Sequence, residues 1–116
     1  QTMKSIIFAG NNLFFSTKVT AQLKKLGYSV QTVSACDSID MDTAAGASAM
    51  IIDLASAGAS ALELPGRFND IPLIGFSGHN DTANLENARA AGYKIATTNG
   101  RITSDLQAIL KEIEGI

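Results

Sequence analysis

Nonpolar residues recur along this chain in two periods. Residues 6–9 (IIFA) are nonpolar at every position, which predicts a strand buried on both faces. Asn11 or Asn12 then stands where a helix cap belongs. Phe15, Val19, Leu23 and Leu26 follow at helical spacing, and Gly27 stops that helix. Residues 28–33, β-branched and aromatic, predict a second strand. Asp37 is placed to cap a short helix over residues 38–45, ended by Gly46. Residues 49–54 (AMIIDL) predict a third buried strand. A loop of small residues follows, with at most two turns of helix over residues 59–64.

The second half repeats the alternation. Residues 73–76 predict a fourth strand. Asn80 or Asp81 caps a helix that runs to Ala91 and ends at Gly92. Residues 93–97 predict a fifth strand, placed nearer the sheet edge because Lys94 and Thr97 interrupt it. Asn99-Gly100 is a turn signal, and Ser104-Asp105-Leu106-Gln107 is a capping box opening a last helix. Leu106, Ile109, Leu110 and Ile113 form its apolar stripe. Five strands alternating with helices predict an α/β fold, a three-layer α/β/α sandwich on a parallel sheet. With right-handed crossovers, strand order 2-1-3-4-5 is the common solution, and its ligand site lies at the carboxyl ends of the strands.

The chain has 116 residues, 46% hydrophobic and 17% charged, which predicts one globular domain spanning 1–116 with a single core. Gln1 and Thr2 precede Met3 and are read as a remnant of expression, with Ile116 then a cut end of a longer chain. A net charge of −2 gives no reason to expect nucleic acid. No Asp or Glu occurs before Asp37, whereas Lys4, Lys18, Lys24 and Lys25 do, which makes the first helix mildly basic. Cys36 is the only cysteine, so no intrachain disulfide forms, which suits a reducing, cytoplasmic setting. One cysteine and one histidine, His79, do not make a metal site of that type. No apolar stretch approaches the ~20 residues of a membrane helix, and no segment of this sequence is read as a signal peptide.

Four segments resemble the receiver domain of bacterial two-component response regulators (CheY-like), in order and over nearly the whole chain. "KKLGYSV" is similar to the junction of first helix and second strand, and "IIDL" to the third strand with its acceptor aspartate. "IPLIGFSG" is similar to the fourth strand with its switch hydroxyl. "ARAAGYKIATTNG" is similar to the end of the fourth helix, the fifth strand and the loop beyond. The resemblance places the acceptor aspartate on Asp53 and the switch hydroxyl on Ser77, with a shorter interval between them than is usual in the family. The acidic pair that holds Mg²⁺ falls on Ala9 and Gly10, counted from Lys4, or on Gly10 and Asn11, counted back from Gly27. The family's phosphate-pairing lysine falls on Asn99, its following proline on Gly100, and its aromatic switch residue on Ala96.

These losses act in one direction. Phosphoryl transfer needs charge neutralised on the transferring oxygens. Mg²⁺ takes anionic oxygen ligands, usually one or two carboxylates besides its waters and substrate. Asp53 alone supplies one, and Asn99 carries no charge. The chain is therefore expected to be a pseudo-receiver: a signalling module without catalysis, metal or cofactor, mediating protein–protein interaction in a two-component or related pathway. The alternatives are an atypical working receiver phosphorylated on Asp53 by a histidine kinase and, more weakly, a small-ligand binder near residues 10–12. There is neither GxGxxG, nor a P-loop lysine, nor a flavodoxin-type phosphate loop. His79 is read as an exposed loop residue, Phe14 and Phe15 as core and flank of the first helix, and Cys36 as a small buried residue.

By resemblance the partner, another protein or a second copy, docks on the face of the fourth helix, fifth strand and fifth helix. Helical spacing turns Leu85, Ala88 and Ala91 to the sheet and Glu86, Arg89 and Ala90 outward. Arg89, Tyr93, Arg101 and Ile102 are the candidate anchor cluster, against an ordinary mixed surface with Tyr93 tucked into the core. The basic first helix, with Lys18, Lys24 and Lys25, is the next candidate.

Overall fold

The computed structural model describes residues 4–56 and 59–113, the side chain of residue 59 excepted. The expectations for Gln1, Thr2 and Ile116 lie outside the described residues. In chain order the elements are β1 (Ser5–Ala9), α1 (Leu13–Lys25), β2 (Ser29–Val33), a 3-10 turn (Cys36–Ser38), α2 (Met41–Ala44) and β3 (Ala47–Asp53). A 3-10 segment (Ala59–Glu63), α3 (Leu64–Arg67), β4 (Leu73–Ser77), α4 (Thr82–Ala91), β5 (Ile95–Thr98), α5 (Asn99–Ser104) and α6 (Leu106–Ile113) follow. The five strands form one parallel sheet in the order β2-β1-β3-β4-β5, as the alternation predicted.

The period-2 geometry of the strands sorts the core into two layers. Ile6, Phe8, Ala49, Ile51, Ile74 and Phe76 face one side, where Val19 and Leu23 of α1, Ile102 of α5 and the stripe of α6 cover them. Ile7, Ala9, Met50, Ile52, Leu54 and Leu73 face the other, against Ala44 of α2, Leu64 of α3, and Leu85 and Ala88 of α4. Each central strand is covered on both faces, which is why its sequence does not alternate with polar residues.

Helix ends follow local chemistry where that chemistry is strong. Asn12 caps α1 through its Oδ1, which accepts from the Phe14 amide at 3.0 Å. Gly27 and Gly92 end α1 and α4 with φ of 94° and 121°, left-handed values that glycine adopts without strain.

Four expectations are corrected. The helix predicted over residues 38–45 is split, and its cap is Asp40, not Asp37: Asp40 Oδ1 accepts from the Thr43 amide at 2.7 Å. Burial of Cys36 and Ile39 forces the break between the two pieces. Tyr28 and Tyr93 both precede their strands. Asn99-Gly100 opens α5 rather than a turn, because Thr98 caps that helix by accepting from the Arg101 amide at 3.2 Å. Ser104 is consequently inside the last turn of α5. Its hydroxyl donates back to the Gly100 carbonyl at 2.8 Å instead of capping α6.

Candidate functional site

The carboxyl ends of β1, β3 and β4 bring the predicted site residues to one end of the sheet. Asp53 closes β3 and is buried, 3% exposed. Its Oδ1 accepts from the Ala55 amide at 3.2 Å, the aspartate turn that starts the β3–α3 loop. Beside it, Ala9 ends β1 with its side chain in the core, so the two loop positions nearest Asp53 are Gly10 and Asn11. Gly10 is packed directly onto Asp53. A Cβ built there would lie 2.6 Å from Asp53 Cβ, 3.2 Å from Ser56 Oγ and 3.4 Å from Asp53 Oδ2. The Gly10 amide donates to the Val33 carbonyl at 3.0 Å, which ties the backbone in place on the other side. The Asn11 amide donates to Ser56 Oγ at 3.0 Å, closing the first loop onto the third.

Ser77 closes β4, 2% exposed. Its hydroxyl donates to Asp81 Oδ2 at 2.7 Å, and the same oxygen accepts from Asn84 Nδ2 at 2.9 Å. The Ser77 bond and then the Asn84 bond hold the Asp81 carboxyl below the usual carboxylate range. A depressed folded-state value means that this arrangement adds stability above the ordinary carboxylate pKa, and that the gain is lost as pH falls through the folded one. Asp81 occupies the N-cap position of α4, and its Oδ2 accepts from these two side chains. Ser56, Asp81 and Asn84 were not legible as site residues. The one local signal for the latter two was a carboxylate and an amide four and seven positions past a strand-ending serine.

Asn99 opens α5 beside this end of the sheet: its Nδ2 lies 4.0 Å from where a Gly78 Cβ would stand. Gly100 follows it within α5. Ala96 is buried in the layer under α4, and its carbonyl accepts from the Arg89 guanidinium at 2.8 Å. His79 is exposed in the β4–α4 loop. Only Asp53 offers a carboxylate among Gly10, Asn11, Asp53 and Asn99, and Gly10 has no room for another. These residues do not fit a divalent cation of the kind receivers hold. Among the described residues no three His, Cys, Asp or Glu side chains cluster with metal-binding geometry.

The anchor cluster does not assemble on the surface. Tyr93 is tucked in, 5% exposed; its ring lies over the side-chain space left open by Gly75, and its hydroxyl donates to the Ala61 carbonyl at 2.7 Å. Burial pushes its phenol well above the usual range. Ile102 is fully buried, because the early start of α5 turns it into the core layer that also holds Phe8 and Ile109 rather than leaving it in a loop. Arg89 remains exposed, and Arg101, partly exposed, pairs with Glu112 at 2.6 Å, a half-solvated bond worth at most ~1 kcal/mol. Phe14 is also corrected: Phe15 joins the core layer, but Phe14 is 64% exposed, beside Leu13 at 78%.

Cys36 is buried, and burial first and Asp37 second push its thiol up to about 11. Thiolate is the reactive form. Labelling of the native protein by a disulfide reagent at mildly alkaline pH is therefore expected to proceed only as fast as the domain unfolds. A rapid stoichiometric reaction without denaturant would show that the thiol is accessible.

No helix among the described residues is long and apolar enough to cross a membrane. No protein-family model matches the sequence, and no curated protein matches it. Solved structures do resemble it. A putative response regulator from Chloroflexus aurantiacus is 14% identical, with a TM-score of 0.84 over 99% of this chain and 100% of that one. The receiver domain of a Pseudomonas aeruginosa sensor histidine kinase, solved with magnesium coordinated in its active-site cleft, is 20% identical, with a TM-score of 0.82 over 99% and 100%. The chemotaxis response regulator CheY4 of Vibrio cholerae is 14% identical, with a TM-score of 0.79 over 97% and 99%. With the same strand order, the same layers and end-to-end coverage, the chain has the CheY-like fold of response regulator receiver domains.

Proposed function

We propose that this domain is a signalling module of the two-component type that acts through protein contacts in the cytoplasm, without catalysis and without phosphorylation of Asp53. The packing of Gly10 against Asp53 carries the reading. Where a working receiver needs acidic oxygens for Mg²⁺, the backbone stands 2.6 Å from Asp53 Cβ at its would-be Cβ and leaves no space for a side chain. Asp53 then has neither a metal nor a fixed cation to offset charge on a transferring phosphoryl group. The Ser77 proton, which a phosphoryl oxygen would have to recruit, is already donated to a carboxylate.

The test is an amide NMR titration with Mg²⁺ and beryllofluoride, repeated with acetyl phosphate. The expected spectrum is unchanged apart from small shifts at exposed residues. Large shifts clustered at Asp53, Ser77 and Asn99 would mean that the pocket opens and accepts a phosphoryl group, and that the domain is an atypical working receiver.

A further inference from the structure

Three hollows run into one another along the seam between α1 and α6. The first, about 350 Å³, opens at the amino-terminal end of the sheet beside Lys4 and shares Tyr28 and Leu110 with the second, about 150 Å³. The second shares Leu26 and Gln107 with the third, about 240 Å³, which reaches Lys25. They make one furrow along α6, on the order of 10–15 Å long at the rise of a helix. Its floor is apolar: Leu106 and Leu110 are buried core residues, and Leu26 stands 38% exposed where two of the hollows meet. Its walls are fixed, because Gln22 Nε2 donates to the Thr103 carbonyl at 2.8 Å and ties α1 to α5 at the far end.

The charge of the furrow runs against that of the chain. The whole sequence holds 11 Asp and Glu against 9 Lys and Arg. The furrow is lined by Lys4, Lys25 and Lys111 and, among the described residues, by no Asp or Glu. Both helices contribute to this. No acid occurs in the chain before Asp37, so α1 has none to offer. On α6, Gln107 and Lys111 stand four residues apart on the flank toward α1, whereas Asp105 and Glu112, seven apart, share the other flank. There Glu112 pairs with Arg101 of α5 at 2.6 Å. A second copy docked furrow to furrow would set lysine against lysine, so charge favours a different, acidic partner.

We infer that the furrow between α1 and α6 is the docking site for an acidic amphipathic segment of a partner protein, whose bulky apolar side chains enter the hollows beside Leu26 and Leu110 while its carboxylates face Lys4, Lys25 and Lys111. Apolar anchors seated in preformed hollows inside a rim of complementary charge are a recurring mode of peptide recognition. This docking rests on the reading that the domain works through protein contacts, and it names the chemistry of that partner. The opposite end of α1 carries another exposed apolar pair, Leu13 and Phe14. Phe14 stands edge-on to Phe15 at 5.1 Å, Phe15 stands edge-on to Phe76 at 5.6 Å, and Phe76 lies 6.0 Å from Phe8. That ring is the solvent end of an aromatic row that begins in the core, and it serves as the comparison surface.

An amide NMR titration tests it, with a short synthetic peptide of glutamates carrying leucines at helical spacing as the probe and a polyglutamate of equal length as the control. The leucine-bearing peptide is expected to shift Lys25, Leu26, Gln107, Leu110 and Lys111, with an affinity that falls as salt is raised. Polyglutamate is expected to bind about tenfold more weakly or worse, because it leaves the hollows unfilled. The double variant Lys25→Glu, Lys111→Glu, at two exposed positions, is expected to lose tenfold or more in peptide affinity by about the same reasoning applied to charge, with its far-UV spectrum intact. Lys24→Glu removes the same charge from the neighbouring residue outside the furrow and should change affinity by about twofold or less. Absence of binding overturns the inference, as do shifts centred on Leu13 and Phe14, equal binding of polyglutamate, or a double variant that binds like the parent. A parent that dimerises without peptide and broadens the furrow resonances gives the site to a second copy and overturns it too. None of these outcomes bears on the beryllofluoride titration, so the docking site and the phosphorylation-independent reading fail separately.

Discussion

Replacing Gly10 with aspartate is expected to break the fold at its site rather than rebuild a metal pocket. The new Cβ would start 2.6 Å from Asp53 Cβ, a distance that backbone-anchored atoms do not tolerate. The Gly10 amide is bonded to Val33 and the neighbouring Asn11 amide to Ser56, so relief requires β1 and β3 to separate at their carboxyl ends. A second carboxylate beside Asp53 adds like-charge repulsion in a buried place. Overpacking and a poorly solvated charge together put the loss at about 3 kcal/mol or more. For a domain of this size that lowers the melting temperature by roughly 10 °C or more. Circular dichroism melts with and without Mg²⁺ check it. A Gly10→Asp protein that melts with the parent, or that Mg²⁺ stabilises, would show that the pocket has room after all.

Phe76→Ala is expected to have the largest effect in the core. The ring is fully buried in the centre of the layer under α1 and α6, between Phe8 and Phe15. Its removal loses the transfer free energy of the ring and leaves a cavity that two rigid strands cannot collapse, about 3–5 kcal/mol in all. That is a large share of the ~5–15 kcal/mol that a domain of this kind holds. Phe14→Ala, at the solvent end of the same aromatic row, should cost about 1 kcal/mol or less. Urea unfolding of the two variants separates them. Equal midpoints would mean that the row does not run from core to surface as described.

Several features were decided by the sequence alone. Four nonpolar residues in a row at 6–9, and again within β3 and β4, identify strands covered on both faces, because no one-sided environment would select such a run. Gly27 and Gly92 mark helix ends by backbone conformation, and Asn12 caps α1 through its own short side chain. These are interactions within a few residues of one another, so composition and spacing express them directly. The neutral residues at 9–11 and at 99 were equally plain, because a carboxylate or a lysine is either present or absent. The tertiary structure decided the rest. Local signals in 36–45 are weak and nearly balanced, and the need to bury Cys36 and Ile39 chose two short turns with Asp40 as cap over one helix. Asn99-Gly100 has the chemistry of a turn, yet the docking of Ile102 into the core and the cap from Thr98 made it a helix start. Tyr93 became a core residue because Gly75, 18 positions earlier, leaves room for its ring and Ala61 offers its hydroxyl a carbonyl. The contacts that define the site, Gly10 on Asp53 and Asn11 on Ser56, join residues more than 40 positions apart. Each half of such a contact is an unremarkable glycine, serine or asparagine until the parallel sheet places their loops side by side, since packing between distant segments leaves no periodic trace in either one.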